Sequence, residues 1–301
     1  MPAFPTIRVG DPVQHESLTV FPLFADSPGV DYLLADEALT AGAVTVAEVS
    51  EGGSVPNLLV DNRADRLVLF LEGEELRGAK QNRVLNTSVL VAARSRMTIP
   101  VSCVEQGRWR YRSPHFNSGG SHSSSKLRHV LKKSVSHSLQ EGRGHGSDQG
   151  EVWKEVGRQM EALGSQSLTA AMADTYGAYQ HRLTEFRERL KYVAGASGLA
   201  VAVGGKVVSV DLFDRPATCG KVWDRLLTGV VLDALEAGPR PEHAGPDAVQ
   251  EVVAALREAP WQPGQAIGAG EEFRAEMAGD RHASALVCDG AVVHGSLVAL
   301  G

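Results

Sequence analysis

Three carboxylates, Glu72, Glu74 and Glu75, fall within four residues, and Arg77, Lys80 and Arg83 follow at once. Carboxylates this close disfavour one another's ionisation unless a cation compensates them. A carboxyl held above its usual range is what a general acid or base requires, so Glu74 and Glu75 are the acid–base candidates. Lys80, Gln81, Asn82 and Arg83 present consecutive donors suited to a phosphate or carboxylate. Arginine grips such groups bidentately, whereas lysine acts as a point charge. Asn86 and Ser88 continue the polar edge. The bland account of the same residues is a set of interstrand salt bridges on a hairpin.

A second group lies just downstream. In an extended strand Met97, Ile99, Val101, Cys103 and Glu105 share one face. The first three are apolar, so Cys103 reads as a core cysteine. The alternative is a nucleophilic thiolate, favoured by Arg108 and disfavoured by Glu105. Glu105 on an apolar face calls for a cationic partner, with Arg83 and Arg108 as candidates. Lys80, Asn82, Arg83, Asn86, Glu105, Arg108, Trp109 and His115 make up the candidate ligand-binding set. The other clustered histidines, 122, 129, 137 and 145, read as solvent-exposed. None has HExxH or other zinc spacing, so no metal ligand is assigned. His282 and His294 can reach a site only through tertiary folding. No phosphate-loop, dinucleotide or nucleophile-elbow motif is present, and no cofactor is identified.

These residues need elements to hold them. Leu67–Leu71 reads as a buried strand opening directly into the charged run, and Val84–Val91 and Met97–Val104 read as two more strands. Leu18 to Phe24 is a strand broken by Pro22. Residues 1–112 form a β-rich half with short connections. Residues 117–125, NSGGSHSSS, read as a mobile loop that in a minor reading cradles an anion. Residues 113–195 read as a helical insertion: 126–139 at helical spacing, a helix capped by Asp148, one capped by Ser167, and a third over 175–192. Residues 196–301 return as α/β hairpins completing the sheet, turning at Gly204-Gly205 and Asp289-Gly290. The expectation is one α+β domain, 1–301. Its framework is antiparallel, a sandwich or curled sheet.

Charge is unevenly spread. Residues 77–147 hold thirteen Lys and Arg against Glu105 and Glu141, a balance of +11 in a chain of net −6. That asymmetry points to an anion-binding surface if the charges converge. Three distant cysteines without CxxC spacing argue against a disulfide framework and fit a reducing cytoplasm. No signal-like segment and no apolar run near the roughly 20 residues of a membrane span is visible.

The segments GEELRGAKQNRVLNTSVLV, IPVSCVEQGRWRY, SLTAAMADTYGAY, GGKVVSVDLFDRP and DGAVVHGSL resemble a bacterial family, the ADP-ribosylglycohydrolase- and rhodanese-phosphatase-associated protein domain. The resemblance runs from about Leu18 to Leu300. It is most specific at Gly73-Glu74-Glu75, Lys80-Gln81-Asn82-Arg83 and Ser102-Cys103-Val104-Glu105. It implies a role near ADP-ribose, NAD-derived or other phosphorylated small molecules, and it assigns no catalytic residue.

The leading expectation is binding, extended to processing, of an anionic nucleotide-like small molecule such as ADP-ribose or an NAD derivative. In the processing form Glu74 or Glu75 is the acid–base group and Cys103 the nucleophile. A non-catalytic scaffold or oligomeric partner, including a homo-oligomer, is the alternative. RNA or DNA binding through residues 77–143 ranks below both, because only Trp109, Tyr111 and Phe116 offer stacking there.

Overall fold

The computed structural model describes residues 1–300. It is α+β and built on three sheets, antiparallel except for one pairing. Six strands close a barrel in the order Ser95–Cys103, Asn57–Asn62, Val44–Glu48, Phe116–His122, Glu74–Gly78 and Arg83–Leu85. Burial alternates along Val44–Glu48 and Asn57–Asn62, as a strand with one covered face requires. Val46, Leu58, Val60, Leu76, Leu85, Ile99, Val101 and Phe116 pack together inside. A three-stranded sheet, Val89–Val91, Leu67–Phe70 and Tyr32–Leu34, lies against this cluster, and its last pair is parallel.

The largest sheet has nine strands. The path is Ile7–Val9, Leu18–Ala25, Gly198–Val203, Lys206–Phe213, Ala291–Ala299, Arg281–Cys288, Glu271–Met277 and Gln262–Pro263; Val13–His15 also pairs with Leu18–Ala25. One face packs on the helices Ser125–Gln140 and Pro216–Ala237, through Leu127, Leu131, Val222, Trp223 and Leu227. The other packs on the helix Pro246–Arg257, through Val249, Val253 and Leu256. Both expected hairpin turns are present, and Asp289 and Gly290 both have positive φ, as a type I′ turn demands.

Several expectations need correction. The Gly/Ser-rich segment 117–125 is not a mobile loop: Phe116–His122 is the strand that closes the barrel. Its glycine is structural, since a Cβ on Gly119 would sit 2.8 Å from a Glu75 carboxylate oxygen. The stretch 84–91 is two strands in different sheets, parted at Asn86-Thr87-Ser88. Leu18–Ala25 runs through Pro22, whose missing N–H falls between the segments paired with Val13–His15 and Ile7–Val9. Ser167 caps no helix; it accepts from the Ala171 N–H and donates to Asp174. The helix expected over 175–192 is two, Met172–Ala178 and Gln180–Arg189, meeting at Tyr179. Asp148 does cap Gln149–Ala162, accepting from the N–H groups of Gly150 and Glu151.

Candidate functional site

The charged residues after Leu71 do not share one site. Pleating and the tight turn at Gly73 send them to three places.

Glu72 goes inward. It pairs with Lys132 and Arg128 on the helix Ser125–Gln140. Arg128 forks onto Asp211 with bonds of 2.9 and 2.6 Å. His294 contacts Asp211 at 3.1 Å and Ser88 at 2.8 Å. Lys132 also donates to Ser284 and Ser296 at 2.5 and 2.7 Å. All these residues are buried. Burial alone would raise the Glu72 carboxyl, but Lys132 and Arg128 beside it bring it down to about 2. Burial likewise opposes ionisation of Asp211, and Arg128 with His294 holds it below the usual carboxylate range. This network binds the barrel's Glu74 edge to the large sheet.

Glu74 and Glu75 form a second cluster. Glu74 accepts from Arg225 at 2.9 Å and from Ser118 at 3.5 Å. Glu75 accepts from Arg77 at 2.7 Å and Ser121 at 2.5 Å. Burial raises both carboxyls, more than Arg225 and Arg77 lower them. The raised carboxyls that acid–base chemistry requires are present, but both side chains are closed off from solvent. Arg77 is the only one of the three expected neighbours, Arg77, Lys80 and Arg83, that pairs with these glutamates.

The third place is one end of the barrel. Arg83 alternates with Leu85, Cys103 with Val101, and Glu48 with Val46, so all three face the interior at its last layer. Arg83 is fully buried. It donates from Nη1 to Gln81 at 2.9 Å, and Nη2 stands 3.9 Å from Glu48. Its Nε and Nη2, and Glu48 Oε2, have no hydrogen-bond partner. Burial pushes the Arg83 guanidinium down. Trp109 lies over it, 5.6 Å from ring centroid to Cζ. Lys80 Nζ sits 5.3 Å from the Trp109 ring centre and 5.2 Å from that of Tyr111, and donates to the Gly52 carbonyl at 3.0 Å. Trp109 is 47 % and Tyr111 51 % exposed. The loop over this end approaches at Gly53, where φ is +77° and a Cβ would meet Trp109, Lys80 and Glu48 at 3.1 to 3.3 Å. A shallow depression of about 740 Å³ adjoins it, lined by Glu51, Tyr111, Arg112, Ser113 and Pro114.

Glu105 braces this end. Arg108 forks onto it with bonds of 2.8 and 2.6 Å, which decides between the two expected partners. Burial opposes ionisation of Glu105, but Arg108 and the Asn82 N–H hold its carboxyl low. Asn82 also accepts from Arg108 at 3.1 Å. Gln149 pairs with both backbone groups of Cys103. Burial pushes the Cys103 thiol up, so it stays protonated, and it is fully covered.

Of the residues singled out from sequence, Lys80, Asn82, Arg83, Cys103, Glu105, Arg108 and Trp109 converge here. Exposed His115 lies in the adjoining segment, its carbonyl accepting from Ser113. Glu74 and Glu75 form the separate cluster described above. Asn86 faces away, donating to the His145 carbonyl and accepting from Ser102. Sequence reasoning missed Glu48, Gly53 and Gln149. Glu48 had a signal, the alternation with Val44 and Val46. His122, His129 and His145 are buried, not solvent-exposed as expected, because each packs beneath a neighbouring element.

The basic surplus does not make a continuous face. Arg77, Arg108, Lys126, Arg128, Lys132, Lys133 and Arg143 each pair with an acid. Arg94 and Arg96 lie at the opposite end of the barrel, Arg96 across from Asp61 and Arg94 with its N–H on the Ala64 carbonyl. Among the described residues no helix is long and apolar enough to cross a membrane, and the three cysteines are free.

No curated protein and no solved structure matches the chain. Residues 6–298 match the family described as the ARG and Rhodanese-Phosphatase-superfamily-associated Protein domain. That span covers nearly every element above, and the chain belongs to this family.

Proposed function

We propose that the Arg83 end of the barrel binds an anionic, nucleotide-like small molecule of the ADP-ribose or NAD-derived class. One observation carries this reading: Arg83 is fully buried, yet two of its guanidinium nitrogens have no partner. An unmet buried donor costs about 1–3 kcal/mol, more when charged, and a bound phosphate oxygen would remove that cost. Arginine suits such an oxygen because it binds bidentately. Trp109 and Tyr111 offer half-exposed aromatic faces beside Lys80, which suits a base; stacking is worth about 1–3 kcal/mol per base. The family's name, taken from its association with ADP-ribosylglycohydrolase and rhodanese-phosphatase proteins, supports the same ligand class.

Binding is the part of the reading we adopt. Processing lacks a group at this end to carry it: Glu74 and Glu75 lie in the separate cluster with Arg225 and Ser121, and burial keeps the Cys103 thiol protonated. A non-catalytic partner role has one observation of its own. Leu168 is fully exposed on the loop whose Thr169 carbonyl accepts from the Gly107 N–H, beside Trp109. With the half-exposed Trp109 and Tyr111 it puts three large apolar side chains in solvent, which suits a protein contact.

Calorimetric titration with ADP-ribose, NAD and ADP tests the reading. Saturable binding is expected, weakened about 10- to 100-fold by Trp109→Ala, as the loss of one stacked base predicts. Absence of heat at about 1 mM ligand, or unchanged affinity in both Trp109→Ala and Arg83→Met, overturns it. A stable oligomer by light scattering, dispersed by Leu168→Asp and indifferent to ligand, would favour the partner role.

A further inference from the structure

A cavity of about 1030 Å³ lies away from the barrel, between the helix Ser125–Gln140 and the hairpin of Glu271–Met277 with Arg281–Cys288. His129, Asp280 and His282 meet on its wall. His129 projects from the helix, Asp280 occupies the hairpin turn, and His282 is the second residue of the next strand. Both histidines are buried, and the Asp280 side chain is 43 % exposed.

Their donor atoms lie close together. His129 Nε2 is 2.9 Å from the Asp280 backbone carbonyl and 3.3 Å from Asp280 Oδ2, and His282 Nε2 is 3.1 Å from Asp280 Oδ1. One donor atom from each of the three falls within 4.8 Å of the others. A metal with bonds of about 2.0–2.2 Å holds adjacent ligand atoms roughly 3.0–3.5 Å apart, so both Asp280–histidine distances already suit an ion, and the two histidines, within 4.8 Å, close on it by side-chain adjustment. The rings meet edge to face with centroids 4.9 Å apart. His282 Nδ1, the other ring nitrogen, is buried without a hydrogen-bond partner.

We propose that His129, Asp280 and His282 form a binding site for a first-row divalent transition metal, Zn²⁺ foremost. Two imidazoles and one carboxylate are a donor set that such ions favour over Mg²⁺ or Ca²⁺. Three protein ligands beside a cavity leave a coordination position for water or an exogenous anion. The charges facing the cavity are mixed. Lys133 Nζ is 3.3 Å from Asp280 Oδ1, and Arg143 also lines the wall, as do Asp148, Glu151 and Glu276. The Lys133 side chain is mostly exposed, so it can turn into solvent when an ion takes its place.

Cobalt titration of the full chain, followed by visible absorption and displaced by Zn²⁺, reads the site directly. One equivalent of Co²⁺ is expected to give a ligand-field band that Zn²⁺ abolishes. Metal should also raise the unfolding temperature, because it binds only the folded state. Asp280→Asn is the first variant: asparagine tolerates the φ of +53° at this turn, so the metal-free protein keeps its fold. It should weaken Co²⁺ by at least about tenfold, His282→Ala should abolish the band, and Lys133→Ala should tighten binding. No band at about 1 mM Co²⁺, or a wild-type band and affinity in Asp280→Asn, overturns the assignment whether or not His282→Ala folds.

Discussion

The network around Glu72 and the barrel end around Arg83 are both buried and both charged, and both draw on the same short stretch of chain. They differ in completeness. Around Glu72 every carboxylate meets a cation or hydroxyl, and the links join a strand, a helix and a second sheet. Around Arg83 the guanidinium and Glu48 stand 3.9 Å apart with atoms left unpaired, under an exposed tryptophan. A closed circuit of charges resists change because each member secures the next. A circuit left open is costly unless something else completes it. On this comparison the first region is structural and the second is the place to seek a ligand.

The largest expected effect is in the closed circuit. Lys132→Met leaves Glu72 buried without its nearest cation and should cost about 3–5 kcal/mol in urea unfolding. Glu72→Gln combined with Lys132→Met should recover most of that loss. A single variant as stable as wild type would break the contrast.

Acid gives the next effect. The Glu72 and Asp211 carboxyls are depressed in the folded state, so their contribution is full above the ordinary carboxylate pKa near 4. It is lost as pH falls, for Glu72 through about 2. Stability measured from pH 5 to pH 2 should drop by roughly 3 kcal/mol for Glu72 alone, and Glu72→Gln should flatten the slope. Asp233 runs the other way. Burial raises its carboxyl to about 6, so its contribution is full below about 4 and is lost as pH rises through about 6. Asp233→Asn should therefore gain relative to wild type between pH 5 and 7.

At the open end, Gly53→Ala meets both a positive φ and three close neighbours, and should cost about 1–2 kcal/mol and shift Trp109 fluorescence. Arg83→Met should do least, staying within about 1 kcal/mol of wild type, since it removes two unmet buried donors and Glu48, 3.9 Å away, keeps the Lys80 N–H. A loss as large as that of Lys132→Met would make Arg83 structural and move the search for a ligand elsewhere.

Much of this was readable from residue order. Alternation along Met97–Cys103 placed Cys103 among apolar neighbours, and Glu105 announced an arginine partner. The DG and GG turns carried their hairpins. What was hidden depends on closure. Gly119 and Gly120 look like flexible linker until Glu75 is placed against Gly119; Gly119 serves close approach, and Gly120 a positive φ of +69°. Glu74 and Glu75 looked like hairpin pairs, but Glu74 is answered by Arg225, far along the chain. His129 and His282 belong to elements that meet only when the large sheet receives its helix. Local patterns report which face a residue takes, not what arrives to cover it.

The nine-stranded sheet has a further consequence, for synthesis. Its strand Leu18–Ala25 is made early, yet it pairs on its inner side with Gly198–Val203. At roughly 5–20 residues per second the ribosome needs on the order of ten seconds or more to supply that partner. Through that interval Leu18, Val20, Phe21 and Leu23, all fully buried at the end, have only the short strands Ile7–Val9 and Val13–His15 to pair with. The barrel, complete once Phe116–His122 has emerged, can form first. The nascent chain thus carries a finished barrel beside a strand whose inner edge is still open, a natural client for a holding chaperone.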